Sequence, residues 1–64
     1  MVKQGSRWTS GEKEFIVLAV VEADDGNTWV HYREDLGIKV PTLQCKEFSC
    51  FQESFVQRFR ERFD

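Results

Sequence analysis

The chain has 64 residues, a formal net charge of −2 and 31% charged side chains, with six Phe, two Trp and one Tyr. A length near 60 residues excludes a second domain and leaves a thin stability margin, since such a chain buries only about 60% of its unfolded surface. The slightly acidic balance excludes a chain-wide electrostatic footprint for nucleic acid, where a domain pI usually exceeds about 9.

The opening segment, Met1 to Ser6, is polar and aperiodic, so it is expected to be a flexible leader to one compact domain spanning residues 7–64. It has no apolar h-region, and the chain nowhere carries the long apolar run that a membrane helix needs, so a soluble cytoplasmic protein is expected. Arg7-Trp8-Thr9 predicts a short first strand, ended by a turn at Ser10-Gly11. Apolar residues then run without interruption from Phe15 to Val21 in the stretch Glu14 to Ala23. A β-branched run of this kind predicts a central strand with both faces covered.

Asp25-Gly26 between two apolar runs predicts a tight hairpin turn, whose central residues can require positive φ. The second arm, Thr28 to Arg33, alternates, so Val30 and Tyr32 share one face and Trp29, His31 and Arg33 the other. Asp35-Leu36-Gly37 reads as a turn. Pro41 denies a sheet one donor and holds Val40 extended, which makes Ile38 to Val40 at best an edge segment. Thr42 to Lys46 is expected to resume as a short strand with Leu43 and Cys45 inward.

Beyond it the period changes to about 3.6, with Phe51, Phe55, Val56, Phe59 and Phe63 on one stripe of a helix from Cys50 to Phe63. Ser49 and Gln52 have the spacing of a capping box. Glu47 and Glu53 near the start, and Arg58, Arg60 and Arg62 near the end, follow the order that the helix dipole prefers. The expected class is α+β: a small bent antiparallel sheet of three or four strands, an SH3-like half-barrel, with one C-terminal helix closing it.

These elements carry a resemblance. Gly5, Trp8, the Gly11 turn, Phe15-x-Val17-x-x-Val20, Trp29-Val30-x-Tyr32 and Phe51-x-x-x-Phe55-x-x-Arg58-Phe59 together resemble small uncharacterised proteins of enterobacterial phages and prophages. The pattern covers most of the chain and is built from core positions. It implies a phage origin and an SH3-like fold, and it brings no catalytic residues. Neither the two cysteines nor the stretch around Pro41 belongs to it.

No spacing here points to an enzyme. A cysteine nucleophile needs a base within hydrogen-bond reach and a third group that orients the base, and nothing in the order of His31, Asp35, Cys45 and Cys50 places them together. Two cysteines and one histidine fall short of a tetrahedral metal site. Both thiols are therefore expected to be reduced, with no metal and no cofactor. A binding module remains, and its leading partner is another protein, met by the aromatic surface of the C-terminal helix that the sheet is too small to cover. Small phage accessory proteins commonly bind one host or phage protein, as the resemblance implies. The alternative is nucleic acid, held, if Val30 and Tyr32 face inward, on an outward row of Trp29, His31 and Arg33 extended by Arg7 and Trp8, with Arg58, Arg60 and Arg62 as a second basic spot. Against it stands the favoured expectation that Trp29 packs beneath the C-terminal helix as core and that these arginines form a solvated face. A third reading is a structural or weak homodimer, against a monomer.

Overall fold

The computed structural model describes residues 2–37 and 46–63. Six elements follow in order: β1 (Arg7–Ser10), β2 (Lys13–Glu22), β3 (Thr28–Glu34), β4 (Glu47–Phe51), α1 (Gln52–Arg58) and β5 (Arg60–Glu61). They form one antiparallel sheet of five strands in the order β4-β3-β2-β1-β5, open rather than closed, with one short helix. The α+β class holds, with one strand more than expected. The expected segments Ile38 to Val40 and Thr42 to Lys46 lie outside the described residues, except for Lys46, which is in no strand.

The first two turns follow from their glycines. Gly11, at φ +62°, opens a two-residue loop between Ser10 and Lys13, which face each other across the first hairpin. A glycine at the first central position suits a turn whose twist matches that of the strands. At the second hairpin Gly26 is at φ +87°, but no non-glycine residue among those described has positive φ. Ala23 N–H donates to Asn27 O at 2.8 Å and Gly26 N–H to Ala23 O at 3.0 Å. The loop is thus Asp24-Asp25-Gly26, a turn followed by a left-handed glycine, rather than the tighter Asp25-Gly26 turn.

Strand β2 carries a bulge: Val17 faces Tyr32, Ala19 faces His31, and Leu18 has no partner in the register. The extra residue changes the alternation. Phe15, Val17 and Val20 all turn to the core, while Ile16, Ala19 and Val21 turn away. The expectation that both faces of this strand are covered is corrected here. The core lies on one face only, and Val21 on the other remains 47% exposed.

That core consists of Val2, Trp8, Val17, Val30, Tyr32, Phe55 and Phe59, with Phe15, Val20 and Cys50 packed against it. Its aromatic rings meet mostly edge to face. Trp8 meets Phe55 at 4.9 Å and 71°, and Phe15 meets Phe59 at 4.9 Å and 74°. The edge-to-face arrangement matches the positive ring edge to the negative ring face. The indole N–H of Trp8 donates to Ser6 Oγ at 2.8 Å, so its polar tip is satisfied. The leader is part of this domain rather than free of it. Val2 is buried, Gly5 N–H donates to Val17 O, and Val17 N–H donates to Ser6 O.

The helix differs most from expectation. It spans seven residues, and Glu47–Phe51, partly assigned to it from sequence, is a strand paired with β3. Phe51 precedes the helix in extended conformation with no side-chain cap, and Ser49 faces His31 across the sheet, so the capping box does not form. The cause is the availability of backbone partners. The β3–β4 ladder ends at Trp29 and Phe51, because β3 has its origin at Thr28 beside the hairpin turn. Past that point the backbone must bond within itself, and it coils. At the other end Phe59 is extended again, and Arg60 and Glu61 pair with Thr9 and Trp8 on the free edge of β1. The four-residue spacing of the phenylalanines therefore serves three environments: Phe55 and Phe59 are core, Phe51 is on the sheet, and Phe63 is 85% exposed.

Candidate functional site

Among the described residues one short helix covers one face of the sheet and nothing is layered on the other, and alternation decides what lies there. Val30 and Tyr32 are buried, so Trp29, His31 and Arg33 point outward, all three half-buried by their neighbours, and the expectation that Trp29 packs beneath the C-terminal helix is corrected. Register places Trp29 between Val21 on β2 and Phe51 on β4. The rings of Trp29 and Phe51 lie 4.4 Å apart. The result is a cross-strand apolar row, Val21-Trp29-Phe51, whose outer members stay 47% and 42% exposed. His31 sits in the next row between Ala19 and Ser49, and Arg33 in the row after, between Ile16 and Glu47.

The rest of the expected basic row is dispersed. Trp8 is 6% exposed and belongs to the core, so it cannot extend an outward platform. Arg7, opposite Ile16, does lie on the outer face, where its guanidinium pairs with Asp35. Arg33 donates to Glu34 O at 3.4 Å. Arg62 pairs with Glu14. Arg58 donates to the Tyr32 hydroxyl at 3.0 Å, lies 5.3 Å from the centre of the Phe59 ring and approaches Cys50 Sγ at 3.8 Å. It ties the end of α1 to β3 and β4. The two arginines do not form one basic spot.

Cys50 is a free, half-buried thiol on the core side of β4. It stands opposite Val30, on the other face of the sheet from His31. Asp35 is engaged by Arg7, and Cys45 lies outside the described residues. Among the described residues no three metal-ligating side chains gather, and no helix is long and apolar enough to cross a membrane.

Sequence reasoning missed Val21 and Phe51 as neighbours of Trp29. The signal was present in Glu47-Phe48-Ser49-Cys50-Phe51, which alternates with period two, but the wider phenylalanine spacing masked it. A hollow of about 270 Å³ adjoins the row, between the turn residues Gly26 to Thr28 and the junction Phe51 to Ser54. Compared with protein-family models, curated proteins and solved structures, the chain matches none.

Proposed function

We propose that this chain is a small binding module without catalytic activity, a phage or prophage accessory protein that works in the cytoplasm by docking another protein on its outer sheet face. The carrying observation is the row Val21-Trp29-Phe51, aromatic, cross-strand and exposed on a face that no second layer covers among the described residues. Apolar surface gathered in this way marks association sites, and aromatic residues are enriched among those that dominate binding energy. The SH3-like reading of the fold is supported by strand order. A meander of four strands has its fifth returning to the edge of the first, with a short helix just before it. The phage origin rests on the core pattern alone.

A protein partner is preferred over nucleic acid because of how the cations are used. Arg7 and Arg62 are neutralised by Asp35 and Glu14, Arg58 is turned to Tyr32, and Trp8 is buried. A nucleic-acid face needs cations directed at phosphates beside its stacking rings. The separation of His31 from Cys50 by the sheet supports binding without catalysis.

The test is a pull-down on the immobilised full chain from an enterobacterial lysate, with and without nuclease. A protein retained after nuclease by the parent, and lost by Trp29→Gln and by Phe51→Gln, is the expected result. Loss on nuclease treatment transfers the surface to nucleic acid. Retention indifferent to both substitutions overturns the assignment of this face.

A further inference from the structure

The hollow beside the aromatic row has a one-sided chemistry. Phe51, whose ring meets Trp29, and the carboxylate-bearing Glu53 both line it. Around this end of the sheet stand Glu22, directly across from Thr28, and Asp24 and Asp25 in the turn whose Gly26 and Asn27 line the hollow. Among the described residues the ion pairs engage Asp35 and Glu14, and none of these four carboxylates has a cationic partner. Asp25 accepts the Asn27 N–H at 3.0 Å, a neutral donor.

Resting on the protein-docking reading above, we propose that this hollow takes a lysine or arginine side chain from a basic segment of the partner. The aliphatic stem lies along Phe51, where a long cationic side chain covers apolar surface while its head stays polar. The charged head reaches the Glu53 carboxylate. Cation–π attraction to the aromatic wall acts in the same direction. The positive end of α1 opposes a cation here, but it amounts to about half an elementary charge. Four carboxylates outweigh it. Partner selection follows from this charge distribution: a basic segment is attracted to the hairpin end, and an acidic one is repelled.

The test uses the full chain, labelled with nitrogen-15 and titrated at low salt with capped hexa-arginine. Hexa-glutamate and a neutral glycine-serine hexapeptide serve as controls. Hexa-arginine is expected to shift the amides of Gly26 to Trp29 and Phe51 to Ser54, with affinity falling as salt rises, and the controls to leave them still. Glu53→Gln, at an exposed position, should weaken binding about fivefold, in line with the loss of one exposed charge partner. Glu53→Lys should remove it. Glu12→Gln, in the exposed turn between β1 and β2, should change nothing. Equal weakening by the Glu12 and Glu53 substitutions, shifts spread over the whole sheet, or the same amides moved by a single-stranded oligonucleotide would each overturn the proposal. The two readings fail separately. A protein partner lost with Trp29→Gln but held unchanged by Glu53→Lys keeps the docking face and removes the basic segment.

Discussion

Phe55 is the side chain on which the covered face of the sheet depends, and Phe55→Ala measures that dependence. It is fully buried on α1, with ring centres 4.9 Å from Trp8, 5.1 Å from Tyr32 and 4.5 Å from Phe59. Truncating a buried phenylalanine costs about 3–5 kcal/mol, through lost transfer energy and the cavity left behind. The whole domain, at about 0.05–0.15 kcal/mol per residue, has only about 3–10 kcal/mol to lose. With an m-value of about 1 kcal/mol/M in urea, as suits so short a chain, the midpoint falls by about 3 M or more. A parent with a midpoint near 3 M then has no folded baseline for the variant. Urea titrations followed by far-UV and near-UV circular dichroism provide the assay. Phe55→Leu, which keeps much of the apolar volume, retains a measurable transition between the two. Val56→Ala is the control: one residue along the same helix but 47% exposed, it should move the midpoint by less than about 1 kcal/mol-equivalent. Equal shifts for Phe55→Ala and Val56→Ala would refute the placement of α1 on the sheet.

The two tryptophans should separate in the same assay. Trp8→Ala costs about 3–5 kcal/mol as a core deletion, whereas Trp29→Ala loses chiefly its pairing with Phe51, about 0.5–1.5 kcal/mol, and comparable losses would dissolve the distinction between core and outer face. Gly26→Val meets nothing within 4 Å of the added Cβ but forces a branched residue to φ +87°, so it should cost about 1 kcal/mol or more from backbone strain alone, and an unchanged midpoint would remove that conformation. The Asn27 N–H that donates to the Asp25 carboxylate holds its pKa below the ordinary 3.8. Since the folded value is the lower one, the stabilisation is fully present above 3.8 and is lost as pH falls through the depressed folded value; carbon-13 titration of the side chain should give a midpoint below 3.8, and one at or above it counts against the Asx turn. Arg58→Met keeps a long apolar stem and leaves the Tyr32 hydroxyl without its 3.0 Å donor, so a loss of about 0.5–1.5 kcal/mol is expected from one hydrogen bond, read from the same urea transitions.

The sequence by itself determined what is local. Alternation in Thr28 to Arg33 set Val30 and Tyr32 on one face and Trp29, His31 and Arg33 on the other without deciding which face meets the core, and the glycines at 11 and 26 marked the hairpins, because a two-residue period and a need for positive φ are properties of adjacent residues. Half of the candidate site was legible in this way. The other half required tertiary structure. Apart from the brief alternation of residues 47–51, nothing local distinguishes Phe51, Phe55, Phe59 and Phe63, and their four-residue spacing suits a helix at every step. Phe51 became the neighbour of Trp29 because β3 offered a backbone ladder to residues 47–51, and the helix ended at Arg58 because β1 had a free edge for Arg60 and Glu61. The arginines were decided similarly, since Arg7 and Asp35 are 28 positions apart and Arg62 and Glu14 are 48 apart. An element persists only while its backbone groups have partners, and in a sheet those partners belong to distant segments. The boundary between strand and helix, and with it the face each aromatic occupies, is therefore set by where neighbouring strands begin and end.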